Sequence, residues 1–506
     1  MKTFAGLLAA VPGLIARHGE DVTITAPIVE DTRQVQPGGV FVARRGLTVD
    51  GHDYIAQAIQ RGAVAIVGAD DIKNLPVPYA QVQDPQAAIG LLAAAYHDFP
   101  SHHLTVIGIT GTDGKTTTST LIHSILKSET GGKTGYISTI AADLGATIAD
   151  TGFHVTTPHA PDVQAYLAQM VNNGLTHCVL EMTSIGLAEK RLSGTRIQAA
   201  VMTNVTHEHL DYHGTWENYR DAKALMFRML IDTPQRTVAV INADDPSADD
   251  FAAIPADVTL RYGLGFGADV QATNIRYRPD GTRFDVDGAT YRLHLVGAFN
   301  VLNALAALTL ARALGVSHEH IRAGLESVTG VSGRMERIDE GQDFTAIVDF
   351  AHTPNALRQA LQAGRTMLAE GGRLIAVFGS AGLRDVEKRR MMAETSAQIA
   401  DMTVLTAEDP RTESLDAILE MMAQGCIRQG GVEGQTFIRV PDRGEAIYQA
   451  CQMANTGDIV MICGKGHEQS MCFGTVEHAW DDRNATRAAL RGAPLRTLPT
   501  AQTSEG

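Results

Sequence analysis

The chain has 506 residues, 44% of them hydrophobic and 20% charged, and a formal net charge of −15. This length is typical of about three domains, and the composition is that of a globular protein rather than a disordered one. The negative charge argues against a nucleic-acid partner, whereas a small anionic nucleotide can still bind at a local cationic site.

Short strands and helices alternate over the first hundred residues. The pattern predicts a strand at residues 40–43 after a turn, and then a helix, a stop at Gly62 and a second strand within residues 53–68. The alanine-rich run at residues 87–99 predicts a helix that Pro100 closes. No apolar run reaches transmembrane length, so no membrane partner is expected.

The stretch GITGTDGKTTT at residues 108–118 carries the strongest chemical signal. An apolar run that predicts a buried strand precedes it, and apolar positions at helical spacing follow it. Glycines in such a turn let backbone N–H groups approach phosphate oxygens at the N-terminus of a helix. Lys115 can then reach the β- and γ-phosphates, and Thr116 can ligate Mg²⁺. The first glycine of a standard P-loop would fall at Ile109, so a chance glycine-rich turn is the alternative interpretation.

Downstream of this loop, apolar strands alternate with helices up to about residue 315, which predicts a parallel sheet covered on both faces. Glu181 ends one strand and His209 follows another, so the two side chains could share a divalent ion with nucleotide phosphates. Lys223 lies in a helix rich in charge, where composition alone indicates a solvated lysine. Residues 258–295 are richer in strands and predict a small antiparallel excursion.

A third unit begins near residue 330 and contains four apolar runs that each end in polar residues. Because ligands of open α/β sheets bind beyond the carboxyl ends of the strands, these polar clusters should share one edge. Arg411 offers a planar fork that suits a carboxylate, and arginines, a lysine and glutamates converge with it. The cluster indicates either a ligand resembling an amino acid, with both charges, or a surface loop with ordinary ion pairs.

Five cysteines are present and none forms a C-x-x-C pair, which favours a reducing compartment and therefore a cytoplasmic location. Nothing in the sequence points to an oligomer, so a monomer is the default expectation.

Taken in order along the chain, the motifs resemble those of the Mur ligase family over about residues 28–490. TGTDGKTTT resembles the family's TGTNGKTTT, EMTSIGL its EVSSHAL, and TNVTHEHLDYHGTWENYRDAK its TNxxxDHLDYHGxxExYxxAK. SGRMERI resembles GRMExI, VDFAHTPNAL resembles VDYAHTPDAL, EDPR resembles DNPR, and GKGHE is the same in both. One such motif would be weak evidence for the resemblance, but seven motifs in the same order along the chain are very specific evidence.

The resemblance implies an α/β fold with three domains. Residues 1–100 would bind the UDP-muramoyl substrate, residues 101–330 would form an ATP-binding domain with a parallel sheet like that of P-loop ATPases, and residues 331–506 would form a Rossmann-like α/β domain that brings the amino acid. The implied activity is ATP- and Mg²⁺-dependent addition of a diamino acid to UDP-N-acetylmuramoyl-L-alanyl-D-glutamate through an acyl phosphate. A folylpolyglutamate- or cyanophycin-type ligase and a non-catalytic nucleotide-binding homologue are the alternatives.

Roles of individual residues are also implied by the resemblance. The catalytic residues would be Lys115, Glu181, His209 and Lys223. The metal ligands would be Thr116, Glu181, His209 and Lys223, the last as a carbamate. The ATP contacts would be Gly111, Thr112, Asp113, Gly114, Lys115, Thr116, Thr117, Asn300, Asn303, Arg334 and His352. The contacts to the UDP-muramoyl peptide would be Thr32, Arg33, Gly46, Thr156, Thr157, Ser184, Glu189 and Arg191. The amino-acid contacts would be Arg384, Glu408, Asp409, Pro410, Arg411, Gly464 and Glu468.

Several residues differ from the family motifs at positions expected to contact ATP or the substrates. Asp113 replaces an asparagine beside the expected phosphates, and Ile185 replaces a histidine. The retained Arg411 favours meso-diaminopimelate, whose distal carboxylate it would read. Asp409 replaces an asparagine and would favour a plain ammonium, as in lysine or ornithine, unless Arg411 pairs with it. The balance favours diaminopimelate slightly.

Overall fold

The computed structural model describes residues 1–46, 49–149, 156–206, 208–278 and 281–502. Within this part of the chain, three successive units each contain a sheet of five or more strands with helices packed against it. None of the described helices combines the length and the apolar composition that a membrane crossing requires.

The N-terminal unit is built on a five-stranded sheet of order β2-β7-β6-β5-β4, in which only the β2–β7 pair is antiparallel. The predicted strand at 40–43 is present and ends at Val42. The predicted helix, stop and strand over residues 53–68 are also present. The elements are β1 (Lys2–Thr3), α1 (Phe4–Leu8), β2 (Leu14–His18), β3 (Thr23–Ile24), β4 (Ile28–Val29), β5 (Val40–Val42), α2 (Ile55–Gln60), β6 (Ala65–Gly68), β7 (Tyr79–Val82) and α3 (Pro85–Tyr96), with 3₁₀ turns at Thr32–Gln34, Gly51–Tyr54 and Pro100–His103.

In the described residues, the central unit has a nine-stranded sheet of order β11-β10-β9-β12-β8-β13-β14-β15-β16. All neighbours from β9 to β16 are parallel, and β10 and β11 add an antiparallel edge. The strands are β8 (Thr105–Thr110), β9 (Thr134–Ile137), β10 (Ala142–Asp143), β11 (Ile148–Ala149), β12 (His177–Glu181), β13 (Ala199–Met202), β14 (Val238–Asn242), β15 (Val258–Gly263) and β16 (Val270–Gln271). The helices are α4 (Lys115–Glu129), α5 (Ala160–Asn172), α6 (Ser184–Ala188), α7 (Leu210–His213), α8 (Trp216–Arg228), α9 (Ala248–Ala252), α10 (Ala298–Ala313) and α11 (His318–Ser327).

The antiparallel excursion predicted for residues 258–295 is smaller than expected. Strands β15 and β16 extend the parallel sheet. Of the strands described in this range, only β17 (Thr273–Arg278), β18 (Gly281–Val286) and β19 (Ala289–Leu293) form an antiparallel sheet. The prediction was wrong for β15 and β16 because a short apolar strand has the same local pattern in either orientation, and the pairing partner decides the direction.

Both faces of the central sheet are buried, as the continuous apolar runs predict. Along β8 the side chains alternate: Ile107 and Ile109 pack in the core on the side of α4 and α10, and Val106 packs in the core on the side of α5 and α8. This two-sided packing leaves the carboxyl ends of the strands as the edge at which polar groups can gather.

The C-terminal unit has a six-stranded sheet of order β20-β21-β25-β22-β23-β24, in which β20 alone is antiparallel among the described strands. The elements are β20 (Glu336–Ile338), β21 (Thr345–Asp349), α12 (Pro354–Met367), β22 (Leu374–Phe378), α13 (Val386–Ile399), β23 (Met402–Leu405), α14 (Leu415–Arg428), β24 (Phe437–Arg439), α15 (Arg443–Met453), β25 (Ile459–Cys463), β26 (Ser470–Phe473), β27 (Val476–Ala479) and α16 (Asp482–Leu490). A 3₁₀ turn at Pro499–Gln502 follows. The four polar-ended runs of the sequence are β21, β22, β23 and β25, which lie side by side.

Candidate active site

The glycine-rich loop joins β8 to α4, and its glycines are required by close packing. A Cβ added to Gly111 would lie 1.8 Å from Thr203 Oγ1, and one added to Gly114 would lie 2.4 Å from Asn303 Oδ1. Gly114, with φ of 82°, precedes the first residue of α4, so the free N–H groups of the helix end open onto the loop. This arrangement is a cradle for an anion such as a phosphate.

Lys115 lies at the start of α4 and closes back on the loop. Its Nζ donates hydrogen bonds to the carbonyl oxygens of Gly111, at 2.9 Å, and Thr112, at 2.8 Å. Burial lowers the pKa of Lys115, and the carboxylates of Glu181 and Asp113 partly offset this. An anionic ligand in the cradle would raise the pKa of Lys115, because an opposite charge nearby favours the charged form.

Glu181 lies fully buried at the end of β12 and faces the first turn of α4. Its carboxylate accepts hydrogen bonds from the hydroxyls of Thr116 at 3.1 Å, Ser119 at 2.9 Å and Thr139 at 3.1 Å. Burial raises the pKa of Glu181. A carboxylate and a hydroxyl in direct contact supply oxygens of the kind that Mg²⁺ prefers, so the donor chemistry of Thr116 and Glu181 fits this ion.

His209 precedes α7 in a left-handed backbone conformation, with φ of 54°. Burial first, and then the neighbouring cations Lys223 and Lys388, lower the pKa of His209 to about 3, so the imidazole is neutral and able to ligate a metal. Among the described residues, no three His, Cys, Asp or Glu side chains are grouped to hold a metal ion. A metal at this place would therefore also need the Thr116 hydroxyl, phosphate oxygens or a modified lysine.

Lys223 lies on the inner face of α8, and the interpretation of this residue as a solvated lysine was wrong. The side chain is buried, its Nζ donates to the carbonyl of Gly111 at 2.7 Å, and the same atom lies 4.4 Å from the centre of the Tyr219 ring. Burial lowers the pKa of Lys223 well below its ordinary value, and the nearby Lys115 adds to this effect. The sequence around Lys223 is charged because α8 is amphipathic, and composition does not reveal which side of the helix the lysine occupies.

Asn300 and Asn303 support the loop from α10. Asn303 Oδ1 accepts a hydrogen bond from Thr118 at 3.3 Å, and its Nδ2 donates to Asn300 Oδ1 at 3.1 Å. Both asparagines are buried, so they hold the first turn of α4 from behind.

Residues predicted to contact the muramoyl peptide form a second group, next to Glu181. Arg191 donates to the carbonyl of Thr157 at 3.0 Å and pairs with Glu189 at 2.7 Å. Thr157 Oγ1 lies 3.1 Å from the carbonyl oxygen of Glu181, and Ser184 Oγ lies 3.1 Å from His213 Nε2. Thr32, Arg33 and Gly46 are not part of this group and lie in the N-terminal unit, where Thr32 bonds Gln57 and the exposed Arg33 pairs with Asp31.

The third group lies at the carboxyl ends of β23 and β25. Asp409 Oδ1 accepts from Lys465 Nζ at 3.0 Å and from the Cys472 backbone N–H at 2.9 Å, whereas Arg411 Nη2 is 3.9 Å from Asp409 Oδ2. Lys465 also pairs with Glu468. Burial by itself lowers the pKa of Lys465, but Glu468 and Asp409 more than offset this, and the pKa lies above its ordinary value. One oxygen of the Asp409 carboxylate is thus satisfied from within the protein.

A buried arginine fixes the strand ends that carry this third group. Arg443 is fully buried and forms a two-pronged pair with Asp482, at 2.7 and 2.6 Å. Its remaining donors reach the carbonyls of Ala407 at 3.1 Å and Cys463 at 2.8 Å. One guanidinium therefore holds the end of β23 and the end of β25 together, and sequence analysis missed it because its partners are distant in sequence.

One cavity of about 720 Å³ joins the three groups. The predicted site residues among its lining residues are Thr112, Asp113, Gly114, Lys115, Thr116, Thr156, Thr157, Ser184, Glu189, Arg191, His209, Lys223, Arg334, His352, Arg384, Glu408, Asp409, Arg411, Gly464 and Glu468. Predicted residues that lie outside the lining, as far as the described residues define it, are Thr32, Arg33, Gly46, Gly111, Thr117, Glu181, Asn300, Asn303 and Pro410.

The chain matches known protein families along most of its length. Three family models match it: "Mur ligase family, catalytic domain" over residues 28–97, "Mur ligase middle domain" over residues 109–311, and "Mur ligase, glutamate ligase domain" over residues 333–466. A UDP-N-acetylmuramyl-tripeptide synthetase from Roseiflexus sp. (strain RS-1) is 44% identical over 482 residues, which cover 92% of this chain and 94% of that relative. The chain belongs to the Mur ligase family.

Other Mur ligases extend the comparison. A UDP-N-acetylmuramoyl-L-alanyl-D-glutamate–2,6-diaminopimelate ligase from Geobacillus kaustophilus (strain HTA426) is 39% identical, covering 96% of this chain and 98% of that relative. A solved structure of an enzyme with the same name superposes with a TM-score of 0.63 at 31% identity, covering 92% of this chain and 94% of the other. The predicted three-domain Mur ligase fold is thereby confirmed, while the domain boundaries at residues 100 and 330 stay predictions.

Contacts between the central and C-terminal units of this Mur ligase were not foreseen from sequence. Glu208 Oε1 lies 3.6 Å from Lys388 Nζ across the cavity, and Glu208 Oε2 is buried with no hydrogen-bond partner among the described residues. Arg334 stacks on Phe350, with its guanidinium carbon 4.3 Å from the ring centre, and its Nη2 is 3.4 Å from Thr116 Oγ1. Glu208 stands where the family motif has an aspartate, and this acidic motif position was the sequence signal that could have drawn attention to it.

Proposed function

We propose that this Mur ligase uses ATP to join a diamino acid, meso-diaminopimelate, to UDP-N-acetylmuramoyl-L-alanyl-D-glutamate, with release of ADP and phosphate. The observation that carries the proposal is the single cavity in which a phosphate cradle, the Thr157–Arg191 group and the Asp409–Arg411 group meet. The relatives named for this reaction are similar to the chain over almost its whole length.

The chemistry follows from the difficulty of making an amide from a carboxylate. An oxygen of the substrate's free carboxylate attacks the γ-phosphorus of ATP, ADP leaves, and an acyl phosphate forms. The amine of the diamino acid then attacks the acyl carbon, the C–O bond to phosphate breaks, and the nitrogen loses a proton. Two anions must approach in the first step, which is why cationic and N–H groups converge there.

Residues of the cradle would serve the phosphoryl transfer. The N–H groups at the start of α4 would bind phosphate oxygens, and Lys115 would turn from its carbonyl partners to the transferred phosphoryl group. Mg²⁺, when bound, would screen the phosphate charges, held by Thr116 and Glu181 with His209 as a neutral nitrogen ligand.

Lys223 would act as a carbamate. An uncharged amine is needed to attack carbon dioxide, and burial lowers the pKa of Lys223 well below its ordinary value, which favours that form. The new N–C bond and the loss of a proton convert the amine into a carboxylate-like anion. Such an anion beside the Gly111 carbonyl would need a cation nearby, which the metal or Lys115 would provide.

For the amino acid, the charges of the third group favour a distal carboxylate. One oxygen of the Asp409 carboxylate, Oδ1, is held by Lys465 and the Cys472 N–H, and the charge of Lys465 makes the carboxylate less attractive to a substrate ammonium. Arg411 donates from Nη1 to the carbonyl of Gly382 at 2.6 Å, its Nη2 lies 3.9 Å from Asp409 Oδ2, and the side chain lines the cavity with Arg384. Two guanidinium groups in the cavity wall suit a carboxylate on the incoming side chain.

The test is phosphate release by the purified protein with ATP, Mg²⁺ and the UDP-muramoyl dipeptide, in separate reactions with meso-diaminopimelate, L-lysine and L-ornithine. We expect release that depends on both the dipeptide and the amino acid, and that is fastest with diaminopimelate. No release with any amino acid would refute the ligase, and faster release with lysine would refute the choice of substrate. We further propose that the protein acts in the cytoplasm, since all five cysteines are free and buried.

A further inference from the structure

The side chain of Asp113 points out of the nucleotide loop towards the C-terminal unit. Asp113 Oδ2 accepts a hydrogen bond from Asn355 Nδ2 at 3.0 Å, and Oδ1 lies 3.5 Å from Thr353 Oγ1. The backbone of Asp113 is meanwhile held by the central unit, because its N–H donates to Asn204 Oδ1 at 3.0 Å and its carbonyl accepts from Thr203 Oγ1 at 2.6 Å. One residue thus connects the loop to both units.

The partner of Asp113 lies at the N-terminus of α12. Thr353 is the N-cap of this helix and accepts from the Ala356 N–H at 3.0 Å, and Asn355 lies in the first turn. The positive end of the helix dipole stabilises a carboxylate at this place. Burial raises the pKa of Asp113, and the hydrogen bond from Asn355 partly offsets this. Asp113 therefore brings a carboxyl group from another unit to a helix end that favours its ionised form.

Both members of this hydrogen bond depart from the family motifs, and they depart in opposite directions. The loop motif TGTNGKTTT has an asparagine where this chain has Asp113, and VDYAHTPDAL has an aspartate where this chain has Asn355. Either arrangement permits one amide N–H to donate to one carboxylate and leaves one negative charge at the start of α12. Because Asp113 and Asn355 share one hydrogen bond, a single exchange of carboxylate and amide explains both departures from the motifs.

We propose that Asp113 and Asn355 are an exchanged carboxylate–amide pair that joins the nucleotide loop to the C-terminal unit, and that Asp113 is a positioning residue for ATP. The inference rests on the proposed function, because it concerns how the ligase presents the loop to its nucleotide. A carboxylate that faced the phosphates would weaken nucleotide binding, because like charges repel. The carboxylate is instead engaged with α12.

A double-mutant cycle tests the pair: Asp113→Asn, Asn355→Asp and the double exchange, with KM for ATP, KM for the amino acid and kcat measured for each. Asn355→Asp brings two carboxylates together and should raise KM for ATP about tenfold or more. Asp113→Asn leaves an amide–amide bond and should raise KM for ATP about threefold. The double exchange should return KM for ATP to within about twofold of the wild type, and KM for the amino acid should change least throughout.

Two results would overturn the pair. A double exchange no better than Asn355→Asp alone would remove the reciprocal relation, and a lower KM for ATP in Asp113→Asn would place the carboxylate at the phosphates. If Asn355→Asp does not fold, the double exchange provides the test, because the proposed pair requires that the double variant folds and binds ATP.

A matched control pair is available on the surface of the central unit. Asn274 Nδ2 donates to Asp285 Oδ2 at 2.9 Å between β17 and β18. The same exchange there should leave KM for ATP unchanged. Nucleotide binding measured by calorimetry separates the two proposals, since it reports on the Asp113–Asn355 pair even if the wild type releases no phosphate with any amino acid.

Discussion

Replacing Asp409 with asparagine restores the family's amide at this position and tests which group the carboxylate serves. In the structure Asp409 Oδ1 contacts the buried Lys465 at 3.0 Å and accepts from the Cys472 N–H at 2.9 Å. If these are its partners, the variant should lose stability but keep its choice of amino acid.

The size of the loss follows from the geometry. At 3.0 Å, with an effective dielectric constant of about 20, the Coulomb attraction is about 5–6 kcal/mol before desolvation is counted. A hydrogen bond to a charged group retains roughly 1.5–3 kcal/mol of net stability. Because Lys465 keeps its pair with Glu468, we expect the lower end of that range and a fall in Tm of a few degrees.

The assay compares kcat/KM for meso-diaminopimelate, L-lysine and L-ornithine in the wild type and in Asp409→Asn, with Tm measured alongside. We expect the ratios between amino acids to change by less than about threefold, since removal of a group that does not touch the substrate alters no differential contact. Asp416→Asn removes an exposed carboxylate from the first turn of α14 and is the matched control: it should leave the ratios unchanged and cost at most about 1 kcal/mol of stability. A tenfold or larger loss of lysine or ornithine use relative to diaminopimelate would show that Asp409 faces the substrate ammonium and would refute this reasoning.

Three further predictions concern buried charges. Lys223→Ala should lower phosphate release about 10- to 100-fold, which is the typical cost of losing a residue that supports a metal site. Burial raises the pKa of Glu408 from 4.5 to about 7, so the folded protein should lose stability as the pH rises from about 4.5 to about 7. Glu408→Gln does not titrate, and its stability relative to the wild type should therefore increase over that range by up to about 3 kcal/mol, measured as a rise in Tm. Arg443→Met should destabilise the protein by about 3–5 kcal/mol, because Asp482 would be left buried and unpaired. Arg439→Met, whose ion pairs are on the surface, should cost at most about 1 kcal/mol.

The outcomes that would contradict these predictions are equally specific. Full activity of Lys223→Ala would exclude the carbamate. A Tm difference between Glu408→Gln and the wild type that does not change between pH 5 and pH 8 would mean that the carboxyl group titrates alike in the folded and unfolded chain. Equal losses in Arg443→Met and Arg439→Met would mean that burial adds nothing to the first pair.

Much of the fold could be predicted because local patterns were unambiguous. The apolar runs before residues 111, 181 and 350 are all strands of parallel sheets, and the turn around Gly114 begins a helix as its composition indicates. The direction of a strand could not be predicted from local sequence. A short strand such as β15 or β16 looks alike in a parallel and an antiparallel sheet, and only its neighbours in the sheet decide its orientation.

Some residues of the candidate site could likewise be predicted from the sequence, and others could not. Sequence motifs located the phosphate loop, Glu181, His209 and the cluster around Arg411, because each chemistry needs particular residue types at particular spacings. Burial of Lys223 could not be read from a charged helix, and Arg443 could not be connected with Asp482 across 39 positions of sequence. Both depend on which side of a helix faces the core.

The sequence by itself determined the family, the order of the three units and the chemical groups that each one offers, since these depend on composition and spacing along the chain. Only the tertiary structure decided which groups meet. It paired Asp409 with Lys465 and directed Asp113 to Asn355, and so assigned partners to two carboxylates that replace asparagines of the family's motifs. The physical reason is that a charge acts through its distance to other charges and through its exclusion from water, and both are properties of the folded chain.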